Sequence, residues 1–192
     1  MIDFLRAVQK SWGLMVSFLR LLLPRCLGLR TGGGVRVGPG INWPLGNLRN
    51  VEIGENVSLG SRGWLYIPLH NRTARICIGA GTAIGDNFTI SCNESIRIGK
   101  NCLMSYRISI LDHDHVTGLG INPVTSGIMK GEPVEIGDDT FVGTGVVIMR
   151  GVKIGKNCVI NANSVVMRSF EDNCIINGSP AKIVMMVAPV AK

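Results

Sequence analysis

Residues 136–166 read Ile-Gly-Asp-Asp-Thr-Phe-Val-Gly-Thr-Gly-Val-Val-Ile-Met-Arg-Gly-Val-Lys-Ile-Gly-Lys-Asn-Cys-Val-Ile-Asn-Ala-Asn-Ser-Val-Val. An aliphatic residue recurs every six positions, at Ile136, Val142, Ile148, Ile154, Ile160 and Val166. Gly or another compact residue usually follows it, and a small or β-branched residue comes four places on. The pattern returns at Ile78, Ile84 and Ile90, then at Ile98, Met104 and Ile110 after a two-residue slip near Glu94. It is rougher at Val37, Ile53 and Leu59. A period of six suits neither a helix nor a hairpin. It suits a short strand plus a turn, three of which close a triangular coil of 18 residues. The aliphatic side chain then points inward and stacks on its counterpart in the next coil. Gly and Asn at the corners meet the backbone demands of the turns.

Composition agrees with such a prism. Of 192 residues, 25 are Gly, about twice the usual share. Hydrophobic residues make up 46% and aromatics only 5%, so the core must be aliphatic and the chain must turn often. Charged residues at 17% are too few for a coiled coil or a disordered chain, and 8 Pro are too few for collagen. The length fits one domain with a real core. Six Cys, none in a C-x-x-C pair, are too sparse for a disulfide scaffold and read as small buried side chains.

The net charge of +7 is unevenly spread. Residues 1–30 carry Arg6, Lys10, Arg20, Arg25 and Arg30 against Asp3, whereas residues 111–135 carry Asp112, Asp114, Glu132 and Glu135 against Lys130. No basic and aromatic residues interleave as a nucleic-acid groove would need, so no nucleic-acid partner is expected. An anionic small ligand or a lipid surface accounts for the excess equally well. Within residues 1–30, Leu5, Val8, Trp12, Met15, Leu19 and Leu22 recur at spacings of three and four until Pro24 stops the run. This amphipathic helical segment is too interrupted to span a membrane, and it lacks a secretory cleavage site. Two readings stay open: a basic helix at the membrane interface, or a cap on the end of the main domain. The expected organisation is 1–30, a repeat domain over 31–185, and a tail over 186–192.

About 20 extra residues interrupt the repeat between Ile110 and Ile136, and this insertion, 111–135, contains Asp112-His113-Asp114-His115. Loops on rigid scaffolds tend to carry function. If 110–115 stays extended, His113 and His115 share one side and Asp112 and Asp114 the other. The histidines read as polar loop residues, as metal ligands, or as a general base. A metal site would need a third ligand, and only the distant His70 remains among the histidines, so no metal is expected.

Three blocks carry a resemblance: Ile98-Gly99 through His115, Ile154 through Val166, and Gly178-Ser179-Pro180-Ala181-Lys182. Over roughly residues 76–185 the chain resembles hexapeptide-repeat acyltransferases, particularly galactoside and maltose O-acetyltransferases and polysaccharide-modifying relatives. The resemblance implies an all-β, left-handed parallel β-helix with an N-terminal helix and a protruding active-site loop. It also implies a homotrimer with sites between subunits, acetyl-CoA as co-substrate and a sugar or glycan hydroxyl as acceptor. An ungapped alignment from Ile98-Gly99 places His115 on the family's catalytic position, with His113 two residues before it. His115 is thus expected to be the general base that deprotonates the hydroxyl. Asp112, Asp114 or a backbone carbonyl could orient it. Thr144 and Ala162 match positions that contact acetyl-CoA, Met167-Arg168 takes the place of the family's Thr-Lys pair and Lys182 that of a basic residue near the nucleotide, so that Arg168 and Lys182 could pair with phosphates. Ser91 and Asn93, with Asp112, are expected on the acceptor side.

Ser91 stands where the family has Asn, Glu94 is the only remnant of an acidic pair, and residues 1–30 replace the small-sugar enzymes' N-terminal subdomain. These departures point to a unit of a cell-surface glycan, made in the cytoplasm or at the inner face of the cell membrane. The alternatives are an N-acetyltransferase of an amino sugar, an antibiotic acetyltransferase, and a non-catalytic β-helix scaffold.

Overall fold

The computed structural model describes residues 2–187, and side chains of the N-terminal helix from Trp12 onward. Residues 188–192 of the C-terminal tail and the side chains of Arg6, Lys10, Leu5 and Val8 lie outside the described residues. The repeats wind into a parallel β-solenoid whose three faces are sheets of six, eight and five strands. On the first face Ile78, Ile98, Ile136 and Ile154 stand in register. On the second the column is Ile84, Met104, Val142 and Ile160, and on the third Ile90, Ile110, Ile148 and Val166. All of these side chains are buried. Each contributes about 1.5–3 kcal/mol of hydrophobic stabilisation, and the three columns are wholly non-aromatic, with Phe88 and Phe170 the aromatic residues buried beside them.

The corners refine the reading of the glycines. The Gly directly after the inward aliphatic residue is needed for close approach. A Cβ added at Gly79 would lie 2.5 Å from the backbone of Gly99, and one at Gly137 would lie 2.5 Å from that of Gly155. The left-handed conformation falls two residues later, at Gly81, Asn101, Asp139 and Asn157. Asn and Asp tolerate it because their short polar side chains bond locally. Aspartates close the same corners: Asp86, Asp138 and Asp172 each accept a hydrogen bond from a backbone N–H of a neighbouring coil. Replacing Gly137 by Ala is therefore expected to cost about 1–3 kcal/mol through forced backbone displacement, read as a lower urea midpoint.

Two further departures from the regular prism matter. A loop over residues 67–74, not resolved by the periodicity, separates the third-face strand Trp64–Tyr66 from Arg75–Ile78. After Cys174–Gly178 the chain reverses into an antiparallel strand, Ala181–Met186, instead of winding on. All six cysteines are free thiols. Burial pushes the thiols of Cys102 and Cys158 above their ordinary pKa, as expected for inert core residues.

The N-terminal helix, α1 (Ile2–Cys26), runs past Pro24. Proline removes only its own N–H from the ladder, and the amides of Leu27, Gly28 and Leu29 still find the carbonyls of Leu23, Arg25 and Pro24. The helix packs on the first coil, but not through the expected stripe. Ser17 and Leu21 are buried there. Ser17 Oγ accepts the N–H of Val37 at 3.0 Å, and Arg20 donates to the Val37 carbonyl at 2.7 Å. These bonds satisfy the backbone at the open end of the prism, where no further coil can do so. Trp12, Met15, Leu19 and Leu22 consequently face outward.

Candidate active site

The insertion leaves from the end of the third-face strand Ser109–Leu111. The chain bends at once, so the alternation expected for an extended 110–115 does not hold. Asp112 turns inward and is 0% exposed. Its Oδ1 accepts the N–H of Asn93 at 2.7 Å, and its Oδ2 accepts that of Glu94 at 2.7 Å. The inward turn supplies acceptors to two amides of the preceding coil. His113, almost fully buried, places Nδ1 2.7 Å from Asp112 Oδ1. With a carboxylate at Nδ1, that nitrogen carries the proton and Nε2 is the acceptor of the neutral ring. Burial alone would raise the Asp112 pKa, but the hydrogen bonds from His113, Glu94 and Asn93 outweigh it and hold the carboxyl below its ordinary range.

Beyond this pair the insertion runs out and back as two limbs. Val116 N–H donates to Gly127 O, Met129 N–H to Asp114 O, and Glu132 N–H to Asp112 O. His115, on the outgoing limb, bridges to Ile128 on the returning limb, and its side chain is exposed. Arg150, from the corner of the following coil, clamps both limbs: Nε reaches Asp114 Oδ2 at 3.1 Å, and Nη1 bonds Glu132 Oε1. Glu94, Met129, Lys130, Gly131, Glu132, Pro133 and Arg150 line a cleft of about 400 Å³ under the returning limb.

Arg150 was not among the residues expected at the site. The signal lay in the repeat, because Ser109 pairs with Val147 and so puts Arg150 in the phase of Asp112. Replacing Arg150 by Ala is expected to change global stability by less than about 1 kcal/mol, since the ion pairs are partly exposed. Hydrogen exchange should nevertheless quicken at the Val116 and Met129 amides, and turnover should fall.

Two of the residues expected on the acceptor side are engaged within the chain. Asp112 has both oxygens engaged, with the amides of Asn93 and Glu94 and the ring of His113, and has no exposed surface. The Asn93 side chain is likewise committed, its Oδ1 accepting from Asn71 at 2.9 Å and its Nδ2 donating to Met129 O at 3.3 Å. Asn71, also missed, is anchored by its own turn, where its Oδ1 accepts the amides of Thr73 and Ala74. An Asn two residues before Thr is the local signal for such a turn. Ser91 lies half-buried in the third face beside Leu111. Between Ser91 and Asn93, burial and the neighbouring Asp112 raise the Cys92 thiol pKa well above its ordinary value.

Thr144 and Ala162 occupy the corner before the third face in consecutive coils. A Cβ on Gly143 would lie 2.6 Å from the Ala162 nitrogen, and Asn163 N–H donates to Thr144 O at 2.8 Å. Thr144 Oγ1 shares a hydrogen bond with Ser105 Oγ at 2.7 Å. Lys182 pairs with Asn177 in the terminal hairpin, next to the Gly178 amide that bonds Ser164 Oγ at this corner. Met167 and Arg168 lie at the opposite end of the third face, beyond Val165–Val166, with the Arg168 guanidinium 5.3 Å from the Phe170 ring centroid. The histidine loop also leaves from that end. Within one chain, Thr144, Ala162 and Lys182 therefore sit on a different edge of the prism from His113 and His115. Among the described residues, no three His, Cys, Asp or Glu side chains group so as to hold a metal ion.

Residues 133–168 match the family described as bacterial transferase hexapeptide (six repeats). The chain is 32% identical over 145 residues to an Escherichia coli protein named for O-acetyl transfer in lipopolysaccharide biosynthesis, covering 72% of each. It is 33% identical over 156 residues to a Mycobacterium tuberculosis protein named as an acetyltransferase, covering 80% of this chain. It spans only 50% of that relative's length. A hexapeptide-repeat acetyltransferase of Vibrio cholerae, solved with acetyl-coenzyme A, superposes with a TM-score of 0.55 at 26% identity, covering 68% of this chain and 70% of the other.

Proposed function

Because the chain belongs to the hexapeptide-repeat acetyltransferase family, we propose that it transfers an acetyl group from acetyl-CoA to a hydroxyl of a sugar unit in a cell-surface glycan. The observation that carries the reading is the insertion at Asp112: the otherwise regular prism breaks there to present a two-limbed loop holding a buried Asp–His pair and an exposed histidine. Acetyl-CoA supplies the activated acetyl group, and its supply in the cytoplasm supports a reaction there or at the inner face of the cell membrane. The E. coli relative's name supports the glycan acceptor. Thr144 and His115 lie on separate edges of one chain, which supports sites formed where one subunit's loop meets another's corner; the left-handed winding and the homotrimer are what the family resemblance implies.

In this reading His115 is the general base. As the acceptor oxygen attacks the thioester carbon, His115 takes the hydroxyl proton; the carbon–sulfur bond then breaks, and the proton passes to the departing thiolate. Asp112 and His113 hold the segment that carries His115. Thr144 and the Ala162 backbone fit the pantetheine arm by polar contact. Arg168 and Lys182, both exposed cations, fit phosphates. A second reading assigns the base to His113, favoured by the carboxylate on its Nδ1, which fixes the tautomer as a base requires.

The test is incubation with acetyl-CoA and a panel of sugars and glycan fragments, followed by mass spectrometry for an added acetyl group. An adduct removed by mild alkali is the expected ester. An alkali-stable adduct is an amide and transfers the reading to amino sugars. No adduct together with no CoA binding supports the scaffold instead.

A further inference from the structure

Helix α1 turns two unlike faces to its surroundings. The inner face holds Ser17, Leu21 and Pro24 against the first coil. The outer face presents Trp12, Met15, Phe18, Leu19, Leu22 and Leu23, each between 41% and 64% exposed. Spacings of three and four put these six on one stripe. Among the described side chains of the helix, the two arginines point away from it: Arg20 bonds the Val37 carbonyl, and Arg25 bonds Thr31 Oγ1. Six large apolar side chains exposed along one stripe mark an interaction site.

Charge identifies the occupant. Residues 4–51 contain seven Lys and Arg and no Asp or Glu, while the rest of the chain holds thirteen of each. The whole net charge therefore belongs to the stretch containing this helix and the coil it closes. A second copy docked stripe to stripe would bring two such basic ends together, which like-charge repulsion disfavours. An anionic lipid surface satisfies both features, since the stripe enters the acyl boundary and the net positive charge of this end of the protein is attracted to the anionic surface. The helix is not long and apolar enough to cross a membrane. We infer that α1 is an interfacial anchor: its inner face stays docked on the solenoid while its outer face seats the protein on anionic lipid. The capping and membrane roles thus fall to opposite faces of one helix. This inference does not depend on the proposed chemistry.

The test uses the full chain with vesicles of equal parts phosphatidylglycerol and phosphatidylcholine, or of phosphatidylcholine alone, by co-sedimentation. Binding to the anionic vesicles should be at least about tenfold tighter than to neutral ones and should weaken with added salt. The double variant Phe18→Gln/Leu22→Gln should lose about tenfold or more of that binding, with circular dichroism and native mass unchanged. Three results would overturn the inference: no sedimentation with anionic vesicles, undiminished binding by the variant, or a smaller native mass in the variant. The last would mean that a second copy covers the stripe.

Discussion

Replacing His115 by Ala is expected to lower the rate of acetyl transfer by about 10²–10⁴-fold, the usual contribution of a positioned general base. The fold should barely register the change. His115 is exposed, and its strand contact to Ile128 runs through the backbone. Loss of the imidazole should therefore shift stability by no more than about 0.5 kcal/mol. Acetyl-CoA affinity should also persist, because in the proposed site the contacts to CoA are made by Thr144, Ala162 and Lys182 and not by the His115 ring. The resulting signature is a fall in kcat with an unchanged melting curve and unchanged CoA binding, measured by thiol release, calorimetry and thermal unfolding. His113→Ala should behave differently. It removes a buried ring hydrogen-bonded to Asp112, so a loss of rate would come with looser exchange along 112–116. A loss of rate without that loosening would favour the reading in which His113 is the base.

Asp112→Ala should produce the largest stability loss of any single substitution in the loop, about 3–5 kcal/mol. The carboxylate is fully buried and engages three groups, the amides of Asn93 and Glu94 and the ring of His113. Truncation leaves all three facing a hole that none can fill. The effect should depend on pH in a defined direction. The folded-state pKa of Asp112 is lowered, so its contribution is fully present above the unfolded-chain value of about 3.9 and is lost as pH falls through the lower folded value. Urea unfolding of wild type and Asp112→Ala should accordingly differ most near neutrality and converge at strongly acidic pH. A gap that stays constant into acid would mean that the charge of Asp112 contributes nothing.

Much of this architecture was legible because a period of six leaves little freedom. Ile136, Val142 and Ile148 could only be the three inward residues of one coil, and each pairs in the structure with its counterpart in the next. The site was legible as a location, since the loop that breaks a strict period declares itself. Its internal geometry was not. Alternation along an extended strand put Asp112 and His113 on opposite sides, whereas the unpaired amides of Asn93 and Glu94 draw Asp112 inward and bring the two together. The need for that acceptor arises in a different coil and leaves no mark near residue 112. The helix gave a similar lesson. Its apolar stripe reads equally as a packing face or as a lipid-facing one; the open end of the prism offers backbone polar groups, so Ser17 and Arg20 supply inner contacts and Trp12 and Leu19 are left outside.

The most direct measurement is the rate of acceptor-dependent thiol release from acetyl-CoA by wild type, His113→Ala and His115→Ala under one set of conditions, with CoA binding measured in parallel. The account predicts release by wild type that requires the acceptor, a loss of about 10²–10⁴-fold in His115→Ala with CoA binding intact, and a smaller loss in His113→Ala. Turnover in His115→Ala equal to that of wild type would contradict it.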